Sequence, residues 1–425
     1  MLDVEALALG SVGALAEGLD AVVRSRNRRH KVTVSADLVA ASFDSIRHLR
    51  VAGAPPKVWA PMSGFHSTRD GWVRLHANYP HHAARLLAAL GIAAPDQLDA
   101  ALRERTALDV EATVRAAGGV AAAVRTRHEW GASPMGLAAE TEPWITFALD
   151  EVPVSSRRTL PATQDGNLPL DGVRILDFTR VIAGPSATRL LAALGADVLR
   201  VDPPQLPELL DQHLDTGFAK RSALADFTDA GQLASIRELA STADAVFLGY
   251  RRGALARYGL DAASLRRDYP HLAVVSLNAW GSAGPWSDGR GFDSIVQAAC
   301  GIAHLYGATH DGAWRPGALP VQALDHATGM GMAAAAVALL AARRRGVGGS
   351  AHLSLVATAN QLLSAAPPAF GGGRVEPPVP KRRVASAYGD LEFVPPPLLI
   401  SGQQLEYPHP PELYGSSGLE WVPRT

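Results

Sequence analysis

The stretch LDGVRILDFTRVIAGPSATRLLAALGADVLRVDPP (170–204) decides the fold. Its first ten residues, 170–179, are mostly apolar and have the length of a buried strand. Residues 183–196 are a run of small residues followed by the apolar spacing of an amphipathic helix, and 197–202 has the pattern of a second strand. Two strands joined by one helix form a βαβ unit, so we predict a parallel sheet with a right-handed crossover.

A second unit of the same kind follows along the chain. The apolar pattern predicts a helix over 230–243, a strand over 244–250 and another strand over 271–280. The predicted fold class is therefore α/β, with a Rossmann-like parallel-sheet domain and a second, smaller α/β domain. No GxGxxG sequence follows the first strand, which argues against dinucleotide binding.

The smaller domain is predicted in the N-terminal part of the chain. Residues 70–80 predict a short strand, and 81–91 and 98–118 predict two helices that each end at a glycine. The proline-rich C-terminal part contains the extended stretch LEFVPPPLLI (391–400). We predict four parts, namely a smaller domain (1–150), a linker (151–169), the Rossmann-like domain (170–365) and a tail that packs over the domains (366–425).

Composition excludes several classes of protein. The 425 residues carry a formal net charge of −1 with dispersed basic residues, which argues against nucleic-acid binding. The single cysteine, Cys300, excludes an internal disulfide framework and fits a reducing compartment. The N-terminus carries acids where a signal peptide carries bases, and the apolar run 332–342 has about half the residues that a membrane span needs. We therefore predict a soluble, cytoplasmic protein without a membrane partner.

The sequence also contains a weak internal repeat. SRNRRHKVTVSADLVAASF (25–43) is similar to RRGVGGSAHLSLVATANQLL (344–363), and in both an arginine-rich helix end leads to a short strand, a serine and an apolar helix. The serines are Ser35 and Ser354. In the same register Gly10 matches Gly329 and Ala6 matches Asp325, so only the later copy has the acid.

Five segments of the chain, in order, resemble CoA-transferase family III, the CaiB/BaiF family to which formyl-CoA transferase and α-methylacyl-CoA racemase are related. They are 170–204, AKRSALADF (219–227), ADAVFLGYRRGALARYGL (243–260), VSLNAWGSAGPWSDGRGFDSIVQAACG (275–301) and PVQALDHATGMGMAAAAVALLAARRRG (320–346). Residues 20–135 resemble the smaller domain of the family, which follows the Rossmann-like part in the usual order. The resemblance implies the CaiB/BaiF CoA-transferase fold with permuted or fused segments.

Asp325 is the residue with which the resemblance associates the chemistry. It follows a strand-like apolar stretch, LPVQAL (319–324), and precedes a helix of small residues, and its position alone favours a helix N-cap. The resemblance implies a nucleophile that forms a mixed anhydride and then an aspartyl-CoA thioester, moving CoA from an acyl-CoA to a small carboxylic acid. Such chemistry requires neither ATP nor a metal. Ala327, Gly329 and Gly331 either allow a close approach of substrate or backbone, or serve helix packing.

The resemblance also implies the CoA contacts. Residues at matching positions are Val181, Ile182 and Ala183 beside the adenine and pantetheine portions, and Lys220 and Arg257 at the nucleotide phosphates. Lys220 and Arg257 have the alternative of a solvated surface charge. Arg251 and Arg252 are further candidates for phosphate contacts. Asn278 stands where some members have a lysine, and Pro203 where some have an arginine.

Other residues separate the competing functions. Related racemases have a histidine where this chain has Phe292, so two-base epimerisation loses one partner and transfer is favoured. Asp293 is predicted to cap or orient. Asp177 and Arg180 either line the site or pair structurally, and His81 and His82 are predicted at the surface or in the core.

Three functions stay open from the sequence. They are a CoA-transferase, an acyl-CoA racemase or isomerase, and a non-catalytic CoA-binding subunit that pairs with an active paralogue. The resemblance further implies a homodimer with interlocked chains.

Overall fold

The computed structural model describes residues 1–25, 31–156, 168–368 and 379–423. The α-helices in this part of the chain are α1 (Val4–Ser25), α2 (Ala36–Phe43), α3 (Ser45–His48), α4 (Pro80–Leu90), α5 (Leu98–Arg103), α6 (Ala107–Ala116), α7 (Arg127–Ala132), α8 (Pro134–Ala139), α9 (Ala183–Ala193), α10 (Leu210–Thr216), α11 (Ala230–Thr242), α12 (Ala262–Asp268), α13 (Asp293–Ala299), α14 (Ile302–Leu305), α15 (Ala323–Ala342) and α16 (Leu355–Ser364).

The strands are β1 (Val32–Val34), β2 (Arg50–Val51), β3 (Gly64–Ser67), β4 (Trp72–Leu75), β5 (Ala121–Ala123), β6 (Ile145–Glu151), β7 (Arg174–Phe178), β8 (Asp197–Asp202), β9 (Arg221–Leu224), β10 (Ala245–Leu248), β11 (Ala273–Asn278), β12 (Ala308–His310), β13 (Ala313–Arg315), β14 (Val347–Ser354), β15 (Arg382–Ser386), β16 (Gly389–Phe393), β17 (Leu398–Ile400) and β18 (Gln403–Gln404).

The central sheet confirms the predicted fold class. Seven strands lie in the order β6-β14-β11-β10-β7-β8-β9, and all neighbours are parallel except β6, which is antiparallel to β14. The deciding stretch forms β7, α9 and β8 as predicted, because its apolar residues are buried between the helices on the two faces of the sheet. Chain order runs outward from β7 in both directions, first through β8 and β9 and then through β10, β11 and β14. The point between β7 and β10 is therefore a topological switch point, where α/β proteins form their ligand crevice.

The smaller sheet, β3-β4-β5, is antiparallel and packs on α4, α5 and α6. The predicted helix 81–91 is found as α4, and Gly91 closes it with φ of 70°. The single helix predicted over 98–118 is wrong. It divides into α5 and α6 because the Thr106 side chain accepts a hydrogen bond from the Asp109 amide and starts a new helix.

The N-terminal and C-terminal parts are both joined to the large domain. Strand β6 lies at the edge of the central sheet, and α1 packs along α15. Tail strand β16 pairs with β2, and β17 pairs with β1, so the predicted extended stretch 391–400 forms two strands rather than one. Most of the predicted linker, 157–167, lies outside the described residues.

The internal repeat is visible as two copies of one helix–strand–helix unit. When Val4 is matched with Ala323, the first residues of α2 and α16 also match, as do Ser35 and Ser354. Gly18 lies against its own counterpart Val337, since a Cβ at Gly18 would be 3.3 Å from Val337 Cγ1. This contact is typical of two copies related by a local two-fold axis.

Two described helices, residues 4–24 and 323–345, are long and apolar enough to cross a membrane by length and composition alone. The apolar run 332–342 belongs to the second helix, which is therefore longer than the run itself. In that helix 94% of an 18-residue apolar stretch is buried inside the protein, and the apolar side chains form part of the core.

Candidate active site

A cavity of about 380 Å³ lies at the carboxyl ends of β7, β10 and β11, beside the switch point. We call it the outer cavity. One wall comes from the smaller domain and the other walls come from the large domain. The lining includes Tyr79, His81 and His82 from the first, and Arg180, Val181, Ala183, Tyr250, Arg251, Arg257, Asn278, Arg290, Phe292 and Asp325 from the second.

Asp325 lies in the first turn of α15 and lines the outer cavity while being only 7% exposed. The predicted strand before it is wrong, because residues 319–322 have no regular structure and α15 begins at Ala323. Asp325 is accordingly the third helical residue and not the N-cap. Burial raises the pKa of Asp325 well above its usual range, and the nearby charge of Asp293 raises it further. Among the described residues no donor hydrogen-bonds its carboxylate.

Asp293 orients the helix that carries Asp325, which confirms its predicted capping role. Its Oδ2 accepts hydrogen bonds from the backbone amides of Leu324 at 2.9 Å and Asp325 at 3.1 Å. These amides are among the helix-terminal donors that lack a partner within the helix. Gln297 donates to the other oxygen, Oδ1. Burial raises the pKa of Asp293 to about 6.

The loop between β7 and α9, residues 179–182, brings strained backbone beside Asp325, and we call it the site loop. Val181 has φ of 68°, in a region that β-branched residues rarely adopt. Its amide donates to Glu208 Oε2 at 2.9 Å, and the same oxygen accepts from Arg200 Nη2 at 2.9 Å. Tyr79 of the smaller domain donates to Glu208 Oε1. Burial opposes the ionisation of Glu208, but Arg200 and Arg180 lower its pKa to about 2, so the loop is held by a permanent anion.

Gly329 seats this loop against α15. A Cβ at Gly329 would overlap the carbonyl oxygen of Ala183, and a Cβ at Gly331 would meet the side chains of Leu353 and Trp144. At Gly329 the group that approaches closely is therefore the backbone of Ala183, whereas at Gly331 the space serves side-chain packing. Ile182 is buried and does not line the outer cavity; it lines a smaller cavity on the other side of Asp325.

Lys220 is placed away from the cavity. It is 2% exposed, and its Nζ lies 3.1 Å from Asp177 Oδ2 and 3.0 Å from Thr188 Oγ1. Burial lowers the pKa of Lys220 to about 8. Neither the predicted phosphate contact nor a solvated surface charge describes this lysine, which forms a buried ion pair beneath the site loop. Asp177 is correspondingly structural and not site-lining.

Arginines crowd the outer cavity. Arg251 and Arg257, the predicted phosphate contacts, line it together with Arg290 and Arg180. Burial, together with the charges of Arg251 and Arg85, lowers the pKa of Arg290 to about 10, so an anion bound between these arginines would relieve their repulsion.

Two other polar residues that the sequence analysis placed near the CoA site form hydrogen bonds with backbone groups. Arg252 does not line the cavity and donates to the Ser282 carbonyl. Asn278 lines the cavity but uses its amide to close a turn, donating to the Gly281 carbonyl and accepting from the Gly281 amide.

Several site residues were missed by the sequence analysis. His81 and His82 line the outer cavity instead of lying simply at the surface or in the core, and Arg290 was not singled out. Their position directly after a predicted strand indicates that these histidines lie at the end of a strand, where a site can form. Phe292 lines the outer cavity and stacks on His76 with ring centroids 3.7 Å apart. In the described part of the chain, no group of three or more His, Cys, Asp or Glu residues could hold a metal.

Comparison with known proteins gives the family. The model of CoA-transferase family III matches residues 170–390. Succinate–glutarate CoA-transferase of Agrobacterium fabrum is 34% identical over 215 residues, which are 46% of this chain and 53% of that protein. Succinyl-CoA:glutarate CoA-transferase of Homo sapiens is 33% identical over 174 residues, or 38% of this chain and 39% of that protein.

Among solved structures, the crystal structure of the hypothetical protein Rv3272 from Mycobacterium tuberculosis is 35% identical, with a TM-score of 0.42, covering 46% of this chain and 59% of that one. The chain spans about half the length, or less, of the curated relatives it matches. The family match nevertheless extends over more than half of the 425 residues and confirms the resemblance seen in the sequence. The chain belongs to CoA-transferase family III.

Proposed function

We propose that this chain transfers CoA from an acyl-CoA to a carboxylic acid, with Asp325 as the nucleophile. The observation that carries the proposal is that a buried, raised-pKa carboxylate lines a cavity crowded with arginines. Arg251, Arg257 and Arg290 form no ion pair with any described residue, so they are available for the phosphates of CoA. A thioester bound in the outer cavity would then lie against Asp325.

The burial of Asp325 favours covalent chemistry. An ionised carboxylate with 7% exposure is poorly solvated, and bond formation removes its charge. Asp325 would attack the acyl carbonyl, giving a mixed anhydride and CoA thiolate. The thiolate would then attack the aspartyl carbonyl, and the donor acid would leave. Low exposure also limits hydrolysis of both intermediates.

Phe292 disfavours the racemase alternative. It carries no proton-transfer group, and its neighbour His76 has a pKa lowered to about 3 by burial and by Arg74. A neutral His76 is therefore a weak base at physiological pH. If the protein released deuterium from the α-carbon of a labelled acyl-CoA in the absence of an acceptor acid, that result would support the racemase alternative.

The test is trapping of the intermediate. Because named relatives are succinate–glutarate CoA-transferases, succinyl-CoA and glutaryl-CoA are the first donors to try. The protein is incubated with each donor and quenched with hydroxylamine, and the modified residue is mapped by mass spectrometry. We expect the adduct on Asp325 and none in Asp325→Asn, which keeps the side-chain shape. If no donor in a broad panel of acyl-CoAs gave an adduct while the protein still bound CoA, the result would support the alternative of a non-catalytic CoA-binding subunit.

The homodimer implied by the family stays a prediction. Both walls of the outer cavity come from one chain, so the proposed site uses no side chain of a partner. Sedimentation velocity on the wild-type protein and a comparison of specific activity over a dilution series test both statements.

A further inference from the structure

A second, smaller cavity of about 30 Å³ adjoins Asp325, and we call it the inner cavity. Val181, Phe292 and Asp325 line both cavities, so these three residues separate them. A single water requires roughly 10–15 Å³ of such space, so the inner cavity accommodates a group of a few heavy atoms and no long chain. The remaining lining comes from both domains, and it combines apolar side chains with polar groups and the carboxylate of Asp293.

Three buried polar side chains of the inner cavity have unused hydrogen-bonding atoms. His76 Nδ1, Ser294 Oγ and Gln212 Oε1 lack a partner among the described residues, and the three residues are 5%, 5% and 6% exposed. Leaving such an atom unpaired costs about 1–3 kcal/mol. Three of them around one small space indicate a polar occupant.

The chemistry of these groups favours an occupant that accepts hydrogen bonds. Ser294 has a hydroxyl donor, and a neutral imidazole at His76 has one N–H. The Gln212 amide can present its N–H₂ in place of its oxygen by a rotation about the last side-chain bond. Arg74 adds positive charge nearby, with its guanidinium carbon 4.7 Å from the ring centroid of Trp59, another lining residue. A carboxylate, which accepts only, satisfies this set.

We propose that the inner cavity holds the carboxylate group of the acid that exchanges CoA with Asp325. This rests on the proposed function. An oxygen of the bound acid would attack the carbonyl carbon of the aspartyl-CoA thioester, the C–S bond would break, and CoA thiolate would leave into the outer cavity. The thiolate would then attack the acyl carbon of the new anhydride and release the Asp325 carboxylate. No proton is transferred, so His76 and Ser294 act only as binding groups.

The same arrangement sets an order of binding. An ionised Asp325 repels a second carboxylate beside it, whereas the thioester is neutral. The acid therefore binds the CoA-loaded enzyme better than the free enzyme. Asp325→Asn reproduces the neutral state of this residue without CoA. Asp293 also lines the inner cavity and repels an acid in both proteins, so the comparison isolates the charge of Asp325. Asp325→Asn should therefore bind a small acid more tightly than the wild type at pH 8.

The test uses ¹³C-formate as the probe and NMR line broadening as the readout. We expect formate to bind Asp325→Asn, and its dissociation constant to rise about tenfold when Ser294→Ala or His76→Phe is added, because each removes one of a few donors. His76→Phe keeps a ring to stack on Phe292. Ser11→Ala is the matched control, because Ser11 is another buried serine, on α1, outside both cavities.

CoA binding is measured in parallel by calorimetry and should stay within twofold in all these variants, since neither Ser294 nor His76 lines the outer cavity. Formate that does not bind Asp325→Asn, or that binds it equally after both substitutions, overturns the proposal and leaves water as the occupant. A parallel loss of CoA affinity would show a general structural defect and also overturns it. Trapping at Asp325 is scored separately, so a missing adduct with intact formate binding counts against the transferase and not against the cavity.

Discussion

The two copies of the helix–strand–helix unit have the same element order and different surroundings. Helix α15 carries Asp325 in its first turn and is covered by α9 and the site loop, whereas α1 carries Ala6 at the equivalent place, exposed at the surface. The Ala183 carbonyl occupies the space that a Cβ at Gly329 would take. A Cβ at its counterpart, Gly10, would have no atom within 4 Å. The comparison shows that the apolar pattern preserves the unit, while the chemistry depends on what is packed around one residue.

The largest effect on transfer activity is expected from substitutions of Asp325 and its counterpart Ala6, because only the second copy of the unit has the acid. Asp325→Ala should lower CoA transfer by a factor on the order of 10³ or more, because no other described carboxylate lines the outer cavity. Adding Ala6→Asp should restore nothing, since Ala6 lines neither cavity. Steady-state transfer rates with melting curves for both proteins check this. Any recovered activity would show that the first copy forms a working site.

Gly329→Ala should show that α15 depends on its close neighbour. The added methyl overlaps the Ala183 carbonyl, so we expect a loss of about 1–3 kcal/mol in the free energy of unfolding. The shift of the Val181–Ala183 loop should also lower transfer activity. Urea unfolding and kinetic assays measure the two effects, and an unchanged protein would contradict the packing described for Gly329.

The pH profile of adduct formation tests the effect of the Asp293 carboxylate on Asp325 in the first turn of α15. The charge of Asp293 raises the pKa of Asp325, so Asp293→Asn should lower that pKa. Adduct formation requires ionised Asp325, and its rate should therefore rise at lower pH in the variant than in the wild type. The difference should be largest above about pH 6, where Asp293 of the wild type is ionised. A midpoint that stays fixed or moves upward excludes this coupling.

The smallest effect is expected at Gly10. Gly10→Ala adds a methyl to an exposed helical position where nothing lies within 4 Å, so the variant should be about 0.5–1 kcal/mol more stable. Transfer activity should not change. Thermal and urea unfolding give the measurement, with Gly329→Ala as its counterpart, and destabilisation would indicate that Gly10 serves a contact of its own.

The sequence predicted those features that depend on local pattern. Strand β8 was predicted to the residue, and β7, α9 and α11 to within a few, because their apolar periodicity agrees with their burial. Lys220 and Arg290 show that local patterns do not predict the partner or the placement of a charged side chain. A lysine in a motif does not reveal whether a buried acid such as Asp177 will pair with it, and an arginine between two glycines does not reveal which cavity it faces. Both depend on contacts between distant segments.

Strand β6 has a mechanical consequence. Seven residues from the N-terminal part pair with β14 at the edge of the central sheet, and α1 lies against α15 within the same core. Cutting the chain between the two parts would expose the β14 edge and the apolar surface of α15 together. The two parts should consequently melt in one cooperative transition, and neither should be recoverable as a folded fragment.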